Sequence, residues 1–201
     1  MSNRGIAFVL SAPSGTGKTT LSKALLKALP HLEYSISATT RPMRPGEVDG
    51  KDYYFYDEDD FLKKQAAGEF LESANVYGYW YGTPKSRVEK VLTSGKDILI
   101  DVDVQGASSF RKKKLEAAYI FLVPPSLEAL KERLQNRKTE DEMTLNRRLA
   151  KARDEIRQYF LYDYMVINDH FDEALQRLQS IILAEKSRRV QNESFLKEML
   201  G

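Results

Sequence analysis

Two periodicities of apolar residues alternate along the chain. Residues 6 to 10, IAFVL, form an unbroken apolar run, the pattern of a short strand covered on both faces. Leu21, Leu25, Ala28 and Leu29 then recur at helical spacing as far as Pro30. Buried-strand runs return at Ile98–Ile100 and Tyr119–Val123, each followed by a helical pattern, and Tyr164–Ile167 reads as a last strand. A closing helix follows, with Phe171, Leu175, Leu178 and Ile182 on one stripe. Strands alternating with helices predict an α/β fold whose parallel sheet is flanked by helices.

Two stretches break this rhythm. Between Tyr34 and Lys85, short strand-like pieces (YSISATT, DYYFY, EFLESANVY, YWYG) are separated by turn signals at Pro42, Pro45–Gly46, Asp49–Gly50 and Gly78. This predicts a mostly antiparallel, Tyr-rich insertion able to wall a cleft. The second stretch covers about 134 to 160. Thr139 and Glu142 fit a capping box there, ahead of a helical stripe of Leu145, Leu149, Ala152, Ile156 and Phe160.

Composition mainly excludes. A chain of 201 residues, 42% hydrophobic and 30% charged, fits one globular domain carrying insertions. The net charge of +2 gives no reason to expect nucleic acid or an anionic membrane as partner, and no apolar run reaches bilayer length. Without cysteine there is no disulfide or thiolate chemistry, and His31 and His170 alone are a poor basis for a zinc site. The start, MSNRG, shows no signal region, so the expected location is cytoplasmic. The basic run Arg111–Lys114 reads as a solvated helix end. The tail SRRVQNESFLKEML can pack on its own core or on a neighbouring copy, which leaves a homo-oligomer open.

The turn after the first strand carries the chemistry. Residues 11 to 20, SAPSGTGKTT, match the phosphate-loop pattern G-x-x-x-x-G-K-[ST], except that Ala12 replaces the first glycine. A triphosphate needs several N–H donors converging on its oxygens, and glycines at 15 and 17 let the backbone turn and approach it closely. Ala12, Pro13, Ser14, Gly15, Thr16, Gly17, Lys18, Thr19 and Thr20 are thus candidate contacts of a nucleoside triphosphate. Lys18 would reach the β- and γ-phosphates, Thr19 would hold Mg²⁺, and the helix that follows would point its positive end at the anion. Alanine suits the strand exit if φ is negative. Asp101, closing the strand-like run DILID, is placed as a second Mg²⁺ ligand would be.

A phosphate loop alone does not separate a GTPase, an ATPase motor and a small-molecule kinase. In SATTRPMRPGEVDGKDYYFY, Arg41 and Arg44 stand three residues apart, beside Ser37 and ahead of Tyr53. Two guanidinium groups and tyrosine hydroxyls can cage a phosphate dianion; equally, these are charges suited to a solvated, turn-rich loop.

Taken together, SAPSGTGKTT, TTRPMRPGEVDGKDYYF, FLESANVYGYWYGTP and DILIDVDVQGA resemble the guanylate kinase family, in its order and at its spacing, from about Gly5 to Val190. The resemblance implies Mg²⁺-dependent transfer of the ATP γ-phosphoryl group to GMP or dGMP. It implies a P-loop core (1–33, 94–133 and 161–201), a GMP-binding insertion (34–93) and a helical lid (134–160). Carried over by position, Arg41, Arg44, Tyr53 and Tyr81 would bind the GMP phosphate, while Ser37, Glu72, Thr83 and Asp103 would surround guanine. The N1–H and N2–H₂ donors of guanine suit carboxylates, and adenine reverses the pattern at positions 1 and 6. Lys18, Arg41, Arg137 and Arg148 would be catalytic, and Asn168 would lie near adenine. Helical geometry favours Arg148 over Arg147, because Arg148 flanks the 145–149–152 stripe, and puts Arg133 on the face of Arg137 if that helix continues. Gly46, Gly50, Gly78 and Gly82 are candidate pivots for closure. A non-catalytic binding module of the same fold is disfavoured by the presence of Lys18, Thr19, Arg41, Arg44, Glu72 and Asp101 together. A kinase for another nucleoside monophosphate is disfavoured by the guanine-facing set.

Overall fold

A computed structural model describes residues 4–76, 78–135 and 142–200. In chain order the elements are β1 (Ala7–Ser11), α1 (Lys18–Ala28), β2 (Leu32–Tyr34), β3 (Ala38–Thr39), β4 (Tyr54–Phe55), α2 (Glu58–Ala66), β5 (Phe70–Val76), β6 (Tyr79–Pro84) and α3 (Lys85–Thr93). They continue with β7 (Asp97–Asp101), α4 (Val104–Lys112), β8 (Ala118–Val123), α5 (Leu127–Gln135) and α6 (Glu142–Ile156). A short 3-10 turn (Tyr159–Leu161), β9 (Tyr164–Ile167), α7 (Phe171–Lys186) and α8 (Arg189–Leu200) complete the chain.

The main sheet has the order β2-β7-β1-β8-β9, parallel at every pairing. Its central strand explains the unbroken apolar run IAFVL. Phe8 and Leu10 point into one layer with Leu21 and Leu25 of α1 and Leu178 and Ile182 of α7. Ala7 and Val9 point into the opposite layer, with Val88 of α3 and Ala107 and Phe110 of α4. With both faces covered, no polar alternation is tolerated. The parallel arrangement brings the ends of β1 and β7, and the residue after β9, to one edge, where open α/β sheets bind ligands.

The second sheet, β4-β3-β6-β5, is antiparallel at β3–β6 and β5–β6 and parallel at β3–β4. Its core is small: Phe61 of α2 stacks on Phe70, ring centroids 4.5 Å apart, and packs beside Trp80 and the buried Ala38. The piece YSISATT is not one strand. Tyr34 ends β2 in the main sheet, Ser35 N–H donates to Leu99 O, and only Ala38–Thr39 joins the second sheet, so Ser37 lies in the crossing.

Helix α6 carries the expected stripe, with Leu145, Leu149 and Ala152 packing on Leu130 and Leu134 of α5. Phe160 does not extend that stripe. The helix stops at Ile156, and Phe160 falls in the 3-10 turn with 71% of its surface exposed. Thr139, the proposed capping residue, lies outside the described residues. Among the described residues no helix is long and apolar enough to cross a membrane.

Candidate active site

The segment between β1 and α1 is held by its own bonds. Thr16 donates from its N–H and from Oγ1 to Pro13 O, at 3.3 and 2.8 Å. Gly15 and Gly17 have φ of 90° and 95°, in the left-handed region. Space is short there as well. A Cβ on Gly15 would sit 2.7 Å from Leu134 Cδ2, and one on Gly17 would sit 2.8 Å from Asn168 Nδ2. Ala12 is buried at the strand exit, and Lys114 is the one non-glycine with positive φ among the described residues. Alanine therefore meets no backbone penalty at position 12.

Lys18 Nζ forms an ion pair with Asp101 and donates to Val102 O at 2.7 Å. Ser22 Oγ donates to the other Asp101 oxygen at 3.3 Å. Thr19 is exposed in the first turn of α1. Mg²⁺ takes few protein ligands when phosphates and waters complete its octahedron; Thr19 and Asp101 line two different clefts, which share Lys18. Among the described residues no group of three His, Cys, Asp or Glu side chains could hold a metal without such help.

Two clefts meet at Lys18, Val76 and Asp103. One, of about 310 Å³, is lined by residues 12 to 20 with Lys151 and Glu155 of α6. The other, of about 200 Å³, is lined by Ser37, Tyr53, Glu72, Tyr81, Asp101 and Asp103, among others. It lies between the two sheets.

Its floor is acidic. Glu72, on β5, is 6% exposed and accepts from Thr83 Oγ1 at 2.8 Å. Burial, reinforced by the negative charge of Asp103, pushes its carboxyl up to about 7, against the opposing effect of the Thr83 bond. Thr83 is wholly buried behind Glu72 and does not itself line the cleft. Asp103 caps α4, its Oδ1 accepting from Gly106 N–H at 2.8 Å. Tyr53 and Tyr81 stand edge to face, centroids 6.1 Å apart, and burial raises the Tyr53 hydroxyl. Arg41 lies against the Tyr53 ring at 5.3 Å, and Arg44 is exposed on the same loop.

From the far side, Arg148 Nη2 donates to Ser14 Oγ at 2.7 Å, so α6 reaches the 12–20 loop through the arginine favoured by helical geometry. Arg147 is exposed. Arg137 lies outside the described residues. Asn168 is buried and bonds the loop itself, Nδ2 donating to Thr16 O at 2.7 Å. Arg133 was placed in sequence only relative to Arg137; here its Nη2 donates to Asn168 O at 2.8 Å. Lys151 and Glu155 were missed. With Arg148 they recur at three- and four-residue spacing, a legible signal, on a face that carries charge rather than apolar side chains.

A family model for guanylate kinase matches residues 4–185. A guanylate kinase from Symbiobacterium thermophilum is 46% identical over 98% of this chain and 93% of its own. One from Rhodopseudomonas palustris is 48% identical over 92% and 85%. The chain belongs to the guanylate kinase family. Among solved structures, a guanylate kinase from Anaplasma phagocytophilum superposes with a TM-score of 0.76 at 34% identity, covering 94% of this chain and 90% of that one. Guanylate kinase membership thus spans both clefts and α6, because the matched residues include all of them.

Proposed function

We propose that the chain is an ATP:GMP phosphotransferase, using GMP or dGMP as acceptor, with residues 34–93 holding the acceptor and residues 134–160 acting as a lid. One arrangement carries this reading. Two carboxylates, Glu72 and Asp103, face the same cleft as Tyr53 and Tyr81 and adjoin the phosphate loop through Lys18. Guanine would donate N1–H and N2–H₂ to those carboxylates, with Ser37 and the Thr83-braced edge around it; adenine would leave buried acceptors unpaired.

The acceptor phosphate, caged by Arg41, Arg44, Tyr53 and Tyr81, is already an anion and needs no general base. Its oxygen would attack the γ-phosphorus in line, so the residues contribute position, charge neutralisation and exclusion of water. Lys18 would exchange its present partners, Asp101 and Val102 O, for phosphate oxygens. Thr19 and Asp101 would hold Mg²⁺, which when bound supplies further neutralisation of the β- and γ-oxygens. Arg148 bonds Ser14 on the loop that would cradle ATP, as a lid residue should, and Asn168 fixes the Gly17 turn against which ATP would sit. We place the activity in the cytoplasm, where ATP and GMP are available.

Comparing GMP, AMP, UMP and dTMP in one coupled ADP-release assay tests the reading. GMP should exceed the others by several orders of magnitude in kcat/KM, and comparable rates with AMP would refute it. Lys18→Ala should abolish turnover while GMP still binds.

A further inference from the structure

A single carboxylate, that of Glu47, organises the arginine loop. Glu47 accepts both of its contacts to Arg41 from Nη2, at 2.7 and 3.0 Å, and accepts the Arg44 backbone N–H at 2.8 Å. The same Arg41 donates Nη1 to Pro42 O at 2.6 Å, and its guanidinium lies against the rings of Tyr53 and Phe55 at 5.3 and 5.8 Å. Arg41 is only 8% exposed, so its charge cannot rely on water for compensation. An arginine side chain has five N–H donors, and these contacts do not use them all. Tyr81 is also within hydrogen-bonding reach of this guanidinium; a phosphate taken by the remaining donors would leave the carboxylate contact in place.

We propose that Glu47 is a positioning residue for the acceptor phosphate: its carboxylate fixes the Arg41 guanidinium and the turn carrying Arg44 before GMP arrives. This rests on the reading of Arg41 and Arg44 as the GMP-phosphate clamp. Glu47 does not touch the acceptor; it acts by restricting the arginine to one rotamer and by tying residues 41 and 44 to a common anchor. The ordering cost is then met during folding rather than at binding. A carboxylate that merely occupied the phosphate's place would have the opposite effect, because removing it would strengthen binding.

The test is GMP titration by calorimetry without ATP, using the full chain and its Glu47→Ala, Glu47→Gln, Arg41→Ala and Arg41→Ala/Glu47→Ala variants. Steady-state kinetics and urea unfolding of each variant accompany the titration. Ordering two rotamer-rich arginines at binding instead of beforehand costs roughly 10- to 100-fold in affinity, so Glu47→Ala should raise the GMP Kd by about that factor. KM should rise with it, kcat should change far less, and Glu47→Gln, which keeps an acceptor for the Arg44 N–H, should recover part of the loss. In the Arg41→Ala background the Glu47→Ala effect should largely disappear. Unchanged or tighter GMP binding in Glu47→Ala overturns the proposal, as does an equal loss with and without Arg41. If Arg41→Ala itself leaves GMP affinity intact, the clamp reading fails instead. If Glu47→Ala does not fold, Glu47→Gln alone decides, with wild-type affinity counting against the proposal.

Discussion

Replacing Glu72 by glutamine should make the protein worse at binding GMP and, at alkaline pH, more stable relative to the wild type than it is at acid pH. The carboxyl is buried and titrates near 7 instead of the ordinary 4.5, so the folded state binds its proton more tightly than the unfolded state does. The stability this carboxyl leaves intact is full below about 4.5 and is lost as pH rises through 7. Linkage between those two values gives a wild-type loss of about 2 to 3 kcal/mol on going from pH 5 to pH 8. The glutamine form lacks this loss. Its amide nitrogen carries a cost of its own where no acceptor meets it, but that cost is the same at every pH and drops out of the comparison. Urea unfolding followed by the fluorescence of Trp80, the chain's one tryptophan, reads the difference directly in the sheet that holds Glu72. Parallel stability–pH curves for the two forms would refute the reasoning, because they would mean that Glu72 titrates alike folded and unfolded.

The same titration should appear in binding. GMP affinity of the wild type should fall about tenfold per pH unit below 7, and a calorimetric series across pH 5.5 to 8 should find the Glu72→Gln form flatter. Arg148→Ala should lower kcat by roughly 10- to 100-fold while leaving GMP affinity unchanged, as single-turnover kinetics would show, since its partner is Ser14 on the other cleft. Gly17→Ala should weaken ATP binding and cost about 1–3 kcal/mol of stability in urea unfolding, because φ is 95° and Asn168 Nδ2 would stand 2.8 Å from the new carbon. Phe61→Ala should cost about 3–5 kcal/mol and release the second sheet before the first, so hydrogen exchange should rise in β5 and β6 ahead of β1.

Strands covered on both faces were the most legible part of the fold. IAFVL and YIFLV announce themselves because both faces of each are covered, leaving no alternating polar positions, and a parallel sheet follows from the helices between them. Helix α2 was hidden for the opposite reason. Of its nine residues only Phe61 is buried, so EDDFLKKQA has little periodicity to show, although Asp57 capping the Asp60 N–H was a usable signal. The division of YSISATT between two sheets depends on a crossing that alternation cannot reveal. At the site, the phosphate loop was readable from spacing alone, whereas the residues around the acceptor cleft took their roles from the family resemblance. Glu47 looks like surface charge in sequence, and only the fold turns it toward the arginine loop; Lys151 and Glu155 share a helical face with Arg148 by spacing, but only the fold sets that face on a cleft.

Asp103 has a consequence for how base preference can change over generations. It faces the acceptor cleft and also starts α4, so losing it removes a helix cap, at about 1 kcal/mol. Glu72, its companion, is a residue whose neutralisation the fold would welcome. Random substitution therefore pushes the two positions in opposite directions: thermodynamic drift erodes one and guards the other. On the proposed reading of both carboxylates as guanine contacts, a lineage released from that need would be expected to surrender position 72 first and to keep the aspartate at 103 long afterwards, as a relic of architecture and no longer of recognition.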